Sequence, residues 1–250
     1  MKGRLLLLSA FALMFSNIVS AEESQPPPAP IMESFICEWQ PGKDMDDLMA
    51  ARDNFVNKAE KGGYETPNAF IWTKYRGAPG ANLLWHSIYD NLSDWARVSD
   101  AGAGNEALAA AMARFQSVAN CTAILQTVRN VYSQGDRPEG ELFVASNACH
   151  MREGVDPVDM LDLENHARQY FGTLGDAAPL STWVSNPVTV EPEAPDGFMF
   201  SVFRSATHWN AFVEQLFGTE QGSLYRRHFN TKAECGFSLW FSQVAVANDA

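Results

Sequence analysis

Apolar residues along this chain change their spacing in a regular order, from strand-like runs to helical periodicity and back. Residues 34–40 carry Phe35, Ile36 and Trp39 and predict a strand, closed by Pro41-Gly42. Asp44 then stands as an N-cap before Met45, Leu48, Met49, Phe55, Val56 and Ala59, whose spacing predicts a helix stopped by Gly62-Gly63. Residues 68–75 and 83–89 predict a hairpin turning at 77–80. Ser93 caps a short helix through Trp95, a longer helix runs from Glu106 to about Ala119, and residues 122–132 form a fourth strand. The order is β-α-β-β-α-β.

The same order returns in the second half. Strand 142–151 leads to Asp156-Pro157, an N-cap followed by proline at the first helical position. Met160, Leu163, Ala167, Phe171 and Leu174 continue as a buried stripe, residues 180–190 and 198–203 give a hairpin, Trp209, Phe212, Val213 and Leu216 mark a helix, and 237–246 is the last strand. Particular residues recur as well. Cys37, Gly42 and Asp44 match Cys149, Gly154 and Asp156 at an offset of 112, whereas Trp95, Phe115 and Cys121 match Trp209, Phe229 and Cys235 at 114. Each unit is therefore a whole small domain, and the chain is a tandem duplication.

This split order predicts a four-stranded antiparallel sheet with both helices on one face. The other face is also apolar, because Trp39, Trp72, Trp85, Trp183 and Trp240 exceed what an exposed sheet carries. Such a face needs cover, and the matching face of the other repeat supplies it, closing two sheets into a barrel. The predicted fold class is α+β: two βαββαβ units packed sheet to sheet. Residues 33–133 form the first repeat, 134–140 a linker and 141–247 the second repeat.

Four cysteines allow three pairings, and the duplication selects Cys37–Cys121 with Cys149–Cys235, which draws the same bridge twice. A sheet in the order 4-1-3-2 sets strands 1 and 4 side by side, so Cys37 faces Cys121. The disulfides suit an oxidising compartment. Residues 1–21 read as a signal peptide, with Lys2 and Arg4 before an apolar run and Val19-Ser20-Ala21 as the cleavage site. Residues 22–32 are a proline-rich leader. The expectation is an exported protein, periplasmic or extracellular after cleavage near Ala21. Loss of Lys2 and Arg4 takes the formal charge from −12 to −14, which disfavours nucleic acid and anionic lipid as partners. No later run is long enough to span a bilayer, and one chain is expected to act as a monomeric pseudo-dimer.

The strand–aspartate–helix opening, the run Leu84-Trp85-His86-Ser87-Ile88-Tyr89 leading to Ser93-Asp94-Trp95, and its counterpart from Phe200 to Trp209 resemble the dimeric α/β-barrel superfamily of ferredoxin-like units. The branch they resemble is that of antibiotic-biosynthesis monooxygenases and stress-responsive barrels. The resemblance covers both halves and implies an intrachain pseudo-dimeric α/β barrel. Within the superfamily some members oxygenate aromatic compounds without cofactors, some bind or degrade haem, and others have no demonstrated catalysis.

Candidate chemistry is sparse. His86, on a central strand between Trp85 and Ser87, is the candidate catalytic residue, as a proton acceptor or an axial ligand; its repeat partner is Phe200, and a core histidine held by one hydrogen bond is the plainer alternative. Glu38 and His150, aligned at the ends of the two first strands, are candidates for an acid/base couple at the barrel mouth. Trp39, Trp72, Trp85 and Trp183 are candidate walls for a flat apolar ligand, or ordinary core. No metal site is expected, since no histidine or cysteine spacing suits one. No cofactor is expected either, haem at His86 being the one alternative. The functional expectation is a small, largely apolar ligand between the sheets, aromatic molecules included, with cofactor-independent monooxygenase-like activity as its enzymatic extension. The competing class is a non-catalytic module with a packed barrel.

Overall fold

The computed structural model describes residues 29–77, 80–135, 138–188 and 194–247. The predicted signal peptide and residues 22–28 of the predicted leader lie outside them. The first repeat runs β1 (Ile31–Trp39), α1 (Met45–Gly62), β2 (Asn68–Gly77), β3 (Leu83–Tyr89), α2 (Leu92–Ala103), α3 (Glu106–Gln116) and β4 (Ala119–Ser133). The second runs β5 (Leu142–Met151), α4 (Pro157–Gly172), β6 (Ser181–Pro187), β7 (Gly197–Phe203), α5 (Ala206–Gly218), α6 (Glu220–Lys232) and β8 (Ala233–Val246).

The helix boundaries follow local chemistry. Asp44 accepts from the backbone N–H groups of Asp46 and Asp47 at the start of α1, and Gly63, at φ 70°, closes it in the left-handed conformation that glycine adopts without cost. Asp156 and Asp159 form a reciprocal capping box on α4. The cap of α2 is Asn91 rather than Ser93, and that helix is three turns long instead of one. Helix α6 escapes a periodicity search because its surface is mostly polar; its readable signal is Thr219, which caps it.

Eight strands close into a barrel in the order β1-β3-β2-β8-β5-β7-β6-β4. Each repeat supplies a 4-1-3-2 sheet, as expected, and two antiparallel seams, β2 with β8 and β4 with β6, join the sheets. Residues on a strand alternate between the two faces of this wall. Inward-facing Met32, Trp72, Val128, Val144, Phe200, Val202 and Trp240 form one cluster along the barrel axis. Outward-facing residues form two further clusters beneath the helices, one per repeat. Three cores thus share one sheet.

Strand β1 begins at Ile31, so Ile31 and Met32, which the sequence pattern places in the leader, are buried in the wall. The cysteines pair as expected, Cys37 with Cys121 and Cys149 with Cys235, each across its own ladder. Two disulfides are compatible with export. No described helix is long and apolar enough to cross a membrane. Since each bridge closes a separation of 84 or 86 residues, replacing Cys37 and Cys121 together by serine should lower unfolding stability by about 2–5 kcal/mol. The Cys149/Cys235 double variant should lose a similar amount, both read from urea transitions of the full chain.

Candidate functional site

The sequence candidates divide between the two faces of the wall. His86, Trp72 and Trp183 belong to the inward set. Trp85 and Trp39 face the helices of the first repeat, where Trp85 meets Phe115 edge to face at 5.3 Å. They are not walls of the barrel interior, because neighbours of an inward residue on a strand must point outward. Glu38 and His150 are exposed at strand ends. Strands β1 and β5 lie four positions apart around the eight-stranded ring, on opposite sides, so the fold does not bring the two together as a couple.

His86 is 5 % exposed and sits in a chain of polar side chains. Gln126 Nε2 donates to Ser34 Oγ at 3.0 Å, Ser34 Oγ meets His86 Nδ1 at 2.8 Å, and Ser185 Oγ donates to Gln126 Oε1. Ser34 Oγ has two lone pairs, so it can accept from Gln126 and still either donate to Nδ1 or accept from it, according to the tautomer of the ring. Burial holds the His86 pKa down to about 3, so the ring is neutral at physiological pH. Nε2 has no partner among the described residues, and the Trp72 ring stands 4.2 Å away, centroid to centroid. A neutral ring in this enclosure is held away from solvent, whichever nitrogen carries its hydrogen. An imidazole enclosed against an indole also offers no open face for a macrocycle, so the residues here do not fit a haem. Among the described residues no group of three or more His, Cys, Asp or Glu is placed to hold a metal ion.

The second repeat repeats half of this chain. Ser146 Oγ accepts from Trp240 Nε1 at 2.8 Å, in the positions of Ser34 and Gln126, and Phe200 replaces His86. Neither of the two cavities described includes His86. One is an open polar hollow on α6. The other, about 30 Å³, lies between α4 and the outer face of the second sheet, where Met151, Met160, Met199, Ala167 and Phe229 line it and its wall is apolar. Glu164, paired with Arg129, is also among its lining residues, as are Ser185 and Asn186.

The duplication explains this cavity. In the first repeat Trp39, Phe55 and Trp85 occupy the positions of Met151, Ala167 and Met199. There Phe55 and Trp85 both pack edge-on to Phe115, at 6.0 and 5.3 Å. Exchange of three large rings for two thioethers and a methyl leaves the gap, around the retained Phe229. None of these residues stands out in the sequence as a candidate; comparing the repeats for side-chain volume is the signal that finds them.

No family model matches the chain, and no curated protein does. Solved structures do. A candidate monooxygenase from Fusobacterium nucleatum superposes with a TM-score of 0.56 at 14% identity, over 88% of this chain and 94% of that one. An anthrone oxidase-like protein gives 0.53 at 11% identity, over 90% and 97%. A candidate chlorite dismutase gives 0.55 at 7% identity, over 87% and 95%. At these identities the likeness is one of fold: the chain has the dimeric α/β-barrel architecture, folded here as an intrachain pseudo-dimer.

The polar chain yields a direct test. Gln126→Leu leaves Ser185 without its acceptor and Ser34 without its donor, so stability should fall by about 1–3 kcal/mol. In the parent protein, nitrogen NMR of His86 should show a neutral ring across pH 5–8; a ring that gains a proton within that range would contradict its burial.

Proposed function

We propose that this protein binds a small, largely apolar molecule in the helix–sheet cavity of its second repeat, one chain serving as a complete pseudo-dimer. The carrying observation is the apolar cavity itself, formed where Met151, Ala167 and Met199 replace the aromatic residues that fill the first repeat. Its size of about 30 Å³ admits a methyl-sized group without adjustment. Methionine side chains are unbranched and polarisable, and can move to admit more. A hollow whose exposed wall is apolar favours apolar guests over water. Cofactor-independent oxygenation of the guest is the activity to test first, since proteins of this architecture include a candidate monooxygenase and an anthrone oxidase-like protein.

A non-catalytic barrel is the second reading, and the burial of His86 among Trp72, Phe200 and Ser34 favours it for the barrel axis. The methionines separate these sites. Met151, Met160 and Met199 line the cavity, whereas Met32 lies inside the barrel. With methyl-labelled methionine and naphthalene as probe, the three cavity methyl signals should shift and that of Met32 should not. Met199→Trp, which restores the first repeat's residue, should abolish the shifts. A response at Met32 alone would move the site to the barrel axis, and no response at any of the four would favour the non-catalytic reading.

A further inference from the structure

The first repeat holds a polar cluster under α2 that the fold does not need. Glu33 on β1 lies directly across the ladder from Ser87 on β3, both facing the helices. Tyr89 donates its hydroxyl to Glu33 Oε2 at 3.3 Å. Trp95 of α2 turns its indole N–H towards the same carboxylate, near enough to favour the charged form but short of hydrogen-bond geometry, and that N–H has no other partner among the described residues. Trp85 Nε1 donates to Ser87 Oγ at 3.1 Å.

The second repeat is the internal control. Ala145 pairs with Ser201 as Glu33 pairs with Ser87, and Phe203 and Trp209 stand for Tyr89 and Trp95. An alanine and a phenylalanine thus build the same strands, and Glu33 and Tyr89 are dispensable to the architecture. The helix above differs too. In the second repeat Phe212 of α5 is buried against Phe203, ring centroids 5.4 Å apart. In the first, Val98 takes that position and no residue of α2 is buried. The smaller side chain leaves α2 lightly seated over the carboxyl.

Keeping Glu33 there costs stability. Burial raises its pKa, outweighing the contributions of Trp95 and Tyr89, and no cation is among the groups that act on it. The folded chain therefore holds the Glu33 proton more tightly than the unfolded chain does. Stability from this group is complete below the ordinary carboxylate range and declines as the pH rises through the raised value. A group that the sister repeat omits, and that weakens the fold at neutral pH, marks a functional position.

We propose that Glu33, Tyr89 and Trp95 form a recognition site under α2 for a flat molecule that presents an N–H or O–H donor to the Glu33 carboxyl. A carboxylate accepts about four hydrogen bonds, and among the described residues only Tyr89 makes one with hydrogen-bond geometry. The indole of Trp95 supplies an aromatic neighbour for a ring. The site is independent of the second-repeat cavity and stands if that cavity takes nothing.

The test pairs indole, which has an N–H donor, with 1-methylindole, which lacks it. On the full chain, indole should shift the Trp95 Nε1–H signal and bind about tenfold or more tightly than 1-methylindole. Glu33→Ala, which installs the second repeat's residue, should reduce that preference to below about threefold while raising the melting temperature at pH 7, the gain vanishing near about pH 4. Tyr89→Phe, which likewise copies the second repeat at Phe203, should melt close to the parent. The proposal is overturned if Glu33→Ala melts below the parent at pH 7, if the preference for indole survives that substitution, or if neither probe moves Trp95 up to its solubility limit.

Discussion

Burial of two apolar sheet faces against each other is the constraint from which everything else in this molecule follows. A βαββαβ unit covers one face of its sheet with its own helices and leaves the other bare. Trp72, Phe200 and Trp240 show how bare: all three are inward-facing, and all three are buried only because the two sheets close into a ring. The seams β2–β8 and β4–β6 also satisfy the backbone of what would otherwise be edge strands. Burial of a large side chain contributes roughly 1.5–3 kcal/mol, so the dozen or so inward residues set a scale that one disulfide per repeat supplements but does not replace.

Once closure is secured, duplication frees each copy to change. The three layers of core have diverged in different ways. Along the axis His86, Ser34 and Gln126 build a polar chain where the second repeat keeps Phe200, Ser146 and Trp240, and Ser185 of the second repeat completes the chain across the seam. Beneath α4, loss of aromatic volume opens an apolar cavity. Beneath α2, a carboxyl and a phenol replace an alanine and a phenylalanine. A pair of identical chains could not separate these features, since every change would appear twice.

The architecture is legible in the sequence because it rests on signals repeated in one chain. Asp44 and Asp156 mark two helix starts, and four cysteines fall into one self-consistent pairing. The long α2 and α6 are less legible, since α2 is capped by Asn91 and buries no residue and α6 presents few apolar positions. The site is harder for a physical reason. Alternation along β3 decides that His86 points inward while Trp85, Ser87 and Tyr89 point to the helices, and a strand buried on both faces has no polar side to show which is which. Expecting Trp85 and Trp39 inside the barrel puts them on the wrong face for that reason. Glu33 lies at the edge of a predicted leader, and its contrast with Ala145 becomes meaningful only when the register with Ser87 and Ser201 is known.

Amide hydrogen exchange on the intact chain under native conditions probes the closure itself. If the barrel is one cooperative unit, amides in the seams, around Trp72 with Ser242 and Val128 with Ser185, should open with the same free energy as those in the middle of the β1–β3 and β5–β7 ladders. Seam amides that exchange orders of magnitude faster, while the ladders inside each repeat stay protected, would show two domains that merely touch and would contradict the account.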